Sequence, residues 1–312
     1  MKLGNFKLDG KSFAGAVLDQ QHILNLSEAA NIEKRRNRSD FASMDNIIRS
    51  NRLDEVQIIL DQKTKGSKDQ VGSNEKNLIY HVDDVEFLTP ILHPGKLILA
   101  AVNYVAHGNE GNISVPEKPY FFTKFPDCLV PHNGDVIAPR ISDQTDYEAE
   151  LAVVIGREGK YITREDAMDY VAGYTVVNDV SFRDYQLGNR GSKNQDLGMD
   201  WVKGKALDTA CPIGPYLVTR DEVMDPYKLK INMYVNGDKR QEDIAGSMIF
   251  KIDQLIEYLS NGITLRPGDI ISTGTPAGVG AFNGNRYLGD GDMLETVVEG
   301  IGILKNRVVK EK

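Results

Sequence analysis

The sequence contains only two cysteines, Cys128 and Cys211, among 312 residues. Two isolated cysteines exclude a disulfide-stapled scaffold and a cysteine-based metal site, and they indicate a reduced, cytoplasmic environment. Uninterrupted apolar runs of about 18 residues, the length of a membrane-spanning helix, do not occur. The first residues, MKLGNFKLDGKSF, lack the apolar core of a signal peptide. We therefore expect neither secretion nor a membrane span.

Positive charge is also scarce. The 37 Lys and Arg residues against 45 Asp and Glu residues give a formal net charge of -8 and a pI near 5.3. The dense basic run EKRRNR, at residues 33–38, is interpreted as a solvated helix end or loop. We therefore expect no nucleic-acid partner. With 41% hydrophobic and 26% charged residues, the chain has the composition of a globular protein with one or two domains.

The first 90 residues have a pattern of their own. Alternating apolar residues and turn signals predict three short strands, Lys2–Leu8, Ser12–Leu18 and His22–Leu26. Two polar helices and a loop rich in Lys, Gly and Ser are expected next, at Asp40–Ser50, Leu53–Lys63 and Thr64–Asn77. This segment contains no recognisable chemical motif.

From Pro90 onward the chain is rich in strands. Ten are predicted, at Lys96–Val102, Tyr120–Lys124, Asp135–Ile137, Tyr147–Ile155, Gly173–Asn178, Pro215–Val218, Lys228–Val235, Ile270–Ser272, Met293–Val298 and Gly302–Val309. Two helices are predicted, Ala167–Val171 behind a capping box and Asp253–Ser260, and Asn236-Gly237 predicts a hairpin turn. Because strands follow strands without regular helical crossovers, a doubly wound parallel sheet is disfavoured.

The segment Asp146–Gly156, DYEAELAVVIG, places Asp146, Glu148 and Glu150 at alternate positions of an apolar strand. Alternate side chains share a face, so these acids form a solvated face or converge on a cation. Asp179, at the polar end of a second strand, favours the cation because it supplies a third carboxylate. Three carboxylates without Cys or His indicate magnesium or manganese, with calcium as the alternative, rather than zinc.

Three further motifs carry candidate chemistry. His107 and Glu110 lie one helical turn apart and form either a water-activating pair or a loop His beside a solvated Glu. Lys205 is either buried towards a developing oxyanion or, as its sequence context favours, extended to solvent. The glycine-rich loop Thr273–Gly280 is either a cradle for a carboxylate or a plain turn, and it lacks the ending of a phosphate loop. Leu187–Met199 and Gly108–Pro116 are candidate lids.

In this order, the motifs NYVAHGNE, PYFFTKFPDCLV, DYEAELAVVIG, GYTVVNDVSFRDYQ, WVKGKALDTACPIGP and ISTGTPAGVG, with the closing VEGIG, resemble the fumarylacetoacetate hydrolase family. The resemblance covers about residues 95–309. It implies an α+β, β-rich fold, a mixed β-sandwich roll, with a small N-terminal α+β domain at 1–90 and a catalytic domain at 91–312. It also implies a homodimer.

The resemblance implies a role for each matching residue. Glu148, Glu150 and Asp179 correspond to the family's ligands for magnesium, manganese or calcium. His107 and Glu110 correspond to its water-activating pair, and Lys205 to the lysine that stabilises negative charge. The positions expected to line the substrate pocket are Tyr104, Arg183, Gln186 and Thr275.

The leading functional hypothesis is a metal-dependent hydrolase that cleaves a carbon–carbon bond of an acylpyruvate or related β-diketo acid through a metal-bound enolate. An oxaloacetate decarboxylase, or an isomerase or hydratase of 2-oxo-enoic diacids, is the alternative on the same site. A non-catalytic binding protein on this fold is a third class, and loss of a ligand or of the lysine would favour it.

Overall fold

The computed structural model describes residues 1–65, 78–188, 193, 196 and 198–312. From residue 66 onward, the predicted loop Thr64–Asn77 lies outside the described residues. The first part of the described chain has these strands and helices: β1 (Lys2–Leu8), β2 (Lys11–Val17), β3 (His22–Asn25), α1 (Leu26–Ile32), α2 (Met44–Arg49), α3 (Leu53–Lys65), β4 (Ile79–His81) and β5 (Glu86–Phe87).

The rest of the described chain alternates strands with short helices. Its elements are β6 (Leu97–Ala101), α4 (Val105–Glu110), β7 (Tyr120–Thr123), β8 (Leu129–Val130), β9 (Asp135–Ala138), β10 (Thr145–Asp146), β11 (Ala149–Ile155), β12 (Val171–Asn178), β13 (Ser181–Phe182), α5 (Arg183–Gln186), α6 (Trp201–Lys205), β14 (Cys211–Thr219), β15 (Lys230–Val235), β16 (Asp238–Ile244), α7 (Ile252–Ser260), β17 (Ile270–Ser272), β18 (Met293–Val298) and β19 (Gly302–Lys310).

Three sheets are formed by the described strands. The largest has twelve strands in the order β4-β3-β2-β1-β14-β12-β11-β17-β6-β7, with β5 beside β1 and β8 beside β14. A five-stranded sheet, β16-β15-β18-β19-β9, packs against β11, β12 and β14, and β10 pairs with β13. The central strands β11 and β12 are buried at every residue, as expected for strands covered on both faces.

The sheet order brings together segments that are distant in sequence. Antiparallel pairing of β11 with β12 places Ala149 opposite Asn178, so the residues flanking these positions meet. On its other side, β11 pairs with β17, and β17 runs parallel to β6. Because parallel strands end at the same edge, the segments after β6 and β17 lie side by side there. This edge carries the candidate site.

Several predicted elements have different bounds in the structure. The strand expected over Tyr147–Ile155 begins at Ala149, because the Glu148 N–H bonds to the Asn178 side chain at 2.9 Å rather than to a neighbouring strand. The predicted helix Ala167–Val171 is a 3₁₀ turn over Ala167–Tyr170, and Val171 already belongs to β12. Helix α1 was not predicted. The Asn236-Gly237 hairpin is confirmed, with both residues at positive φ.

Two sequence-based expectations, a domain boundary near residue 90 and the absence of a membrane span, are compared with the structure separately. The proposed division near residue 90 stays a prediction, since β1 pairs with β14 and the N-terminal strands extend the sheet of the later ones. No helix among the described residues has the length and apolar character needed to cross a membrane.

Candidate active site

Glu148, Glu150 and Asp179 converge beside the paired ends of β11 and β12, in what we call the carboxylate cluster. One carboxylate oxygen from each residue lies within 4.8 Å of the others. The three residues are 5%, 1% and 0% exposed, so the alternative of a solvated acidic strand face is wrong. The Asp179 N–H donates to the Glu148 carbonyl at 2.8 Å, which fixes the backbone between these two ligand positions.

Three buried basic side chains contact the carboxylate cluster. The Lys205 ammonium lies 2.7 Å from Glu148 Oε2 and 2.6 Å from Asp179 Oδ2. The Arg183 guanidinium lies 2.6 Å from Glu148 Oε1, and the Lys124 ammonium lies 2.7 Å from Asp179 Oδ1. The interpretation of Lys205 as a lysine extended to solvent is therefore wrong. Two carboxylates hold its ammonium inside, and the residue is 1% exposed.

The positive charges of Lys205 and Arg183 determine whether the Glu148 carboxyl is ionised. Burial disfavours ionisation of this carboxyl, but the two cations outweigh burial and lower its pKa below the usual range. In turn, burial works against the charged form of Lys205, yet Asp179 and Glu148 raise the pKa of its ammonium. The ion pairs of Glu148 with Lys205 and Arg183 are therefore charged at neutral pH.

Glu150 has different surroundings. It accepts hydrogen bonds from the Ser272 hydroxyl and, at 3.0 Å, from the Gly274 N–H, and no basic side chain pairs with it among the described residues. Burial raises the pKa of its carboxyl well above the usual range, and the charges of Asp179 and Glu148 raise it further. The carboxylate cluster thus lacks positive charge at Glu150. A divalent cation supplies this charge, so the residues present fit the group.

His107 and Glu110 form a hydrogen-bonded pair on α4, directly after the β6 edge. His107 Nδ1 lies 2.8 Å from Glu110 Oε1, and Glu110 Oε2 accepts the Gly278 N–H at 2.8 Å. Because an ionised carboxylate only accepts, this contact places the proton on Nδ1 and the lone pair on Nε2. His107 lines the cavity described below, so Nε2 is its nitrogen available for proton transfer.

The loop Thr273–Gly280 binds carboxylates of the protein itself through its backbone. The N–H groups of Gly274, Gly278 and Gly280 donate to Glu150, Glu110 and Asp146, respectively. Gly278 has φ of +108°, and a Cβ there would lie 2.2 Å from the Arg240 carbonyl oxygen, so glycine is required. The loop is more than a plain turn, because its N–H groups bind both Glu110 on α4 and Glu150 of the carboxylate cluster.

A cavity of about 40 Å³ opens beside the carboxylate cluster. Its described lining includes the predicted site residues His107, Glu148, Glu150, Arg183, Gln186, Lys205 and Thr275, with an apolar wall of Ala100, Ala101, Val102, Ile113, Phe122, Leu187, Met199, Trp201 and Phe282. Tyr104 does not line it; the residue is fully buried. Such a volume holds only a few water molecules, so a four-carbon acid requires lining groups to move.

Candidate lid residues contribute to this wall. Ile113 belongs to the predicted lid Gly108–Pro116, and Leu187 and Met199 are the ends of Leu187–Met199. Of the latter segment, residues 189–192, 194, 195 and 197 lie outside the described part of the chain.

Comparison with known families identifies the fold around this site. Residues 96–309 match the family model described as "Fumarylacetoacetate (FAA) hydrolase C-terminal". The chain belongs to the fumarylacetoacetate hydrolase family. The resemblance inferred from the motifs is therefore confirmed.

Members of the fumarylacetoacetate hydrolase family with assigned activities are similar to this chain. A mitochondrial oxaloacetate tautomerase of Bos taurus, FAHD2A, is 45% identical over 227 residues, which are 72% of this chain and 70% of the relative. The oxaloacetate tautomerase YisK of Bacillus subtilis is 36% identical over 314 residues, covering 99% of this chain and 100% of the relative.

Solved structures of the fumarylacetoacetate hydrolase family have the same fold. A maleylpyruvate hydrolase of Sphingobium sp. SYK-6, in complex with manganese(II) ion and pyruvate, superposes with a TM-score of 0.76 at 28% identity over 100% of both chains. The fumarylacetoacetate hydrolase of Exiguobacterium antarcticum gives a TM-score of 0.76 at 31% identity, also over 100% of both chains. The predicted α+β, β-rich fold of this family is confirmed, and the chain is an enzyme. The manganese-bound relative and the buried carboxylate cluster support a divalent metal.

Two residues of the site were given no individual role in the sequence analysis. Lys124 contacts Asp179, and Asp146 accepts from Arg183 Nε at 2.9 Å and from two N–H groups of the 280–281 backbone. Asp146 carried a signal, because it shares the alternating pattern of the carboxylate cluster. Lys124 stands in a quoted family motif, but a single lysine after a strand has no pattern that indicates burial.

Proposed function

We propose that this protein is a divalent-metal-dependent tautomerase of oxaloacetate or a closely similar 2-oxo diacid. The observation that carries the proposal is one small cavity that is lined both by His107 and by Glu148 and Glu150 of the carboxylate cluster. The relatives in Bos taurus and Bacillus subtilis, both oxaloacetate tautomerases, support this reaction over the others of the family.

Glu148, Glu150 and Asp179 would hold the cation, as magnesium or manganese. When bound, it supplies Lewis-acid polarisation of the 2-oxo group and of the neighbouring carboxylate. Asp179 and Glu148 are already oriented by ion pairs, so little reorganisation is needed when the cation binds.

His107 is the proton carrier in this proposal. Its Nε2 takes a proton from C3 of the keto acid, and the resulting imidazolium gives that proton to the 2-oxo oxygen. One C–H bond is exchanged for one O–H bond, and no carbon–carbon bond breaks. Glu110 keeps the Nδ1 proton in place and stabilises the imidazolium that forms. Because tautomerisation is reversible, the same pair returns the proton in the opposite direction.

Lys205 would stabilise the developing negative charge. An ammonium has three protons, and Glu148 and Asp179 accept two of them. The third is free to donate to the 2-oxo oxygen, since Lys205 lines the cavity. Arg183 and Gln186, which are hydrogen-bonded to each other at 2.8 Å, define the adjoining wall.

Hydrolysis of an acylpyruvate is the second candidate. In that reaction, His107 deprotonates a water that attacks the distal carbonyl. The apolar wall of Phe122, Trp201 and Phe282 suits an acyl group better than a second carboxylate, and the similar maleylpyruvate hydrolase catalyses a hydrolysis by its name. Decarboxylation of oxaloacetate stays the third candidate on this site.

One assay separates the three reactions. The protein with magnesium or manganese is mixed with freshly dissolved enol-oxaloacetate, and the enol absorbance and the pyruvate formed are followed together. Tautomerisation removes the enol absorbance without forming pyruvate, whereas decarboxylation forms pyruvate and carbon dioxide. Acetylpyruvate and fumarylpyruvate are tested in parallel, since hydrolysis releases pyruvate from them. An enol decay no faster than that of the metal ion alone would refute the tautomerase proposal.

The assembly, the cellular location and the domain organisation of the protein are also proposals. A homodimer, a cytoplasmic location and a domain boundary near residue 90 are inferred from sequence only. The similar oxaloacetate tautomerases FAHD2A of Bos taurus and Homo sapiens are named mitochondrial. Sedimentation of the purified chain measures its assembly.

A further inference from the structure

Lys124 is a buried lysine to which the proposed reaction gives no part. It follows β7 directly, and its side chain is completely withdrawn from solvent. A buried ammonium is costly unless a negative charge lies nearby and oxygen atoms accept hydrogen bonds from its protons. The contacts of Lys124 therefore show what its burial serves.

Three oxygens surround the Lys124 ammonium. The Val180 carbonyl lies at 2.8 Å, the Ala210 carbonyl at 2.5 Å and Asp179 Oδ1 at 2.7 Å. The two carbonyls accept hydrogen bonds from the ammonium, whereas Asp179 Oδ1 is in ion-pair contact with it. Lys124 is not among the residues that line the cavity. A direct role in the reaction is therefore excluded.

The three partners belong to the segments that build the site. Asp179 is a member of the carboxylate cluster, and Val180 is the next residue. Ala210 precedes β14 and closes the segment that begins with α6, the helix carrying Lys205. Lys124 thus joins the end of β7 to the segments that carry a cation ligand and the site lysine.

We propose that Lys124 is a positioning residue that holds Asp179 in its ligand orientation for a divalent cation. Asp179 is bracketed, with Oδ1 against Lys124 and Oδ2 against Lys205, so neither oxygen can rotate away. Each carboxylate oxygen keeps a further lone pair for the cation. This inference rests on the proposed metal site.

Charge and position predict opposite effects of removing Lys124. If Lys124 acted only through its charge, losing a cation beside the site would tighten the binding of a second cation. If it positions Asp179, losing it frees the carboxylate and weakens binding. Loss of a residue that orients a metal ligand typically weakens metal affinity roughly 10- to 100-fold. The direction of the change therefore distinguishes the two.

The experiment compares full-length Lys124→Met with the native chain by calorimetric titration with Mn²⁺ alone. Lys203→Met is the matched control, because Lys203 is exposed on α6 and loses the same charge nearby. We expect roughly 10- to 100-fold weaker Mn²⁺ binding for Lys124→Met and native affinity for the control. The Mn²⁺ electron paramagnetic resonance spectrum of saturated Lys124→Met should also differ from that of the native protein.

Turnover at saturating Mn²⁺ provides the second readout. Because Lys124 does not line the cavity, kcat of Lys124→Met should return to within about threefold of native, whereas Lys205→Met should stay inactive. Unchanged or tighter Mn²⁺ binding, or a kcat that stays low at saturation, overturns the proposal. If Lys124→Met does not fold, Lys124→Gln, which keeps a donor for one carbonyl, is judged by the same criteria.

The native chain separates this inference from the proposed function. If the native protein binds Mn²⁺ but does not tautomerise oxaloacetate, the reaction proposal fails and the affinity test of Lys124 stands. If it binds no Mn²⁺, the metal site fails, and the Lys124 proposal fails with it.

Discussion

Glu150→Gln and Glu148→Gln should have different effects on the stability of the metal-free protein, although both remove one buried carboxylate. Glu148 forms ion pairs with Arg183 at 2.6 Å and Lys205 at 2.7 Å. Glu150 accepts only from the Ser272 hydroxyl and the Gly274 N–H among the described residues. The contrast between their partners determines the sign of each effect.

The expected magnitudes follow from these contacts. Removing one partner of a buried ion pair costs about 3–5 kcal/mol, because the remaining charge is left buried. An unfolding entropy of about 2.1 cal/mol/K per residue gives about 0.65 kcal/mol/K for 312 residues. Glu148→Gln should therefore lower the melting temperature by about 5–8 °C.

Glu150→Gln should leave the metal-free stability within about 1 kcal/mol of native or raise it slightly. The amide oxygen of glutamine still accepts from Ser272 and Gly274, so no donor loses its partner. The raised pKa of the Glu150 carboxyl favours its neutral form in the metal-free protein, and the glutamine that replaces it is neutral as well.

Manganese reverses the ranking of native protein and Glu150→Gln. A ligand at 100 times its Kd stabilises the folded state by about 2.7 kcal/mol, which is about 4 °C for this chain. The native protein should gain this shift, and both variants should lose most of it. Calorimetric melts after dialysis against EDTA, with and without added Mn²⁺, measure all six values. Metal-free Glu150→Gln melting as low as Glu148→Gln, or gaining the full Mn²⁺ shift, would refute the reasoning.

Two further predictions concern histidines. His107→Gln should lower kcat/KM for enol-oxaloacetate by a factor of about 10² to 10⁴ and leave the Mn²⁺ affinity unchanged. The control His93→Gln, at an exposed histidine, should behave as native. If calorimetry showed that His107→Gln had lost metal binding, the role of His107 as proton carrier would be contradicted. Burial, with the nearby Lys305 charge, lowers the pKa of His132 from 6.5 to about 4. Since the unfolded chain binds this proton first, stability should fall as the pH decreases from 6.5 to about 4, by roughly 3 kcal/mol, and little further below that pH. Urea melts of His132→Gln should lack this part of the slope, and an identical slope would exclude His132 as its source.

Relations between site residues that are close in sequence could be predicted from the sequence. Alternation in DYEAELAVVIG placed Glu148 and Glu150 on one face, and the one-turn spacing placed His107 beside Glu110. Both relations depend on fixed strand and helix periods, which a sequence displays directly. The bounds of most strands from Pro90 onward were predictable for the same reason, because apolar alternation ends where glycine, proline or asparagine begins.

Relations between distant segments could not be predicted in this way. Lys124 and Asp179 are 55 positions apart, and they meet only because of the order in which the strands join the sheet. Periodicity does not specify that order. Lysine is usually exposed, so its burial at positions 124 and 205 is visible only once the acids around it are placed. Tyr104 is the opposite case, since its motif position suggested a pocket wall and the fold places it in the core.

The charges of the site predict the order in which its ligands bind. Three buried carboxylates, Asp146, Glu148 and Asp179, face three buried cations, Lys124, Arg183 and Lys205, and the raised pKa of Glu150 favours its neutral form in the metal-free protein. The metal-free site therefore has no net charge with which to attract an anionic 2-oxo acid. A divalent cation that displaces the Glu150 proton changes the net charge from zero to one positive charge, and only then is the anion attracted.

Binding of an inert dianion measures this order. Calorimetric titration with oxalate should give no heat of binding to the chelator-treated protein and a saturable one to the Mn²⁺-loaded protein, after correction for oxalate binding to free Mn²⁺. Glu150→Gln keeps a neutral group at this position and removes a cation ligand, so this variant should bind no oxalate in EDTA and little after addition of Mn²⁺. If the metal-free native protein bound oxalate as well as the Mn²⁺-loaded protein does, the charge balance of these seven side chains would not control access to the site.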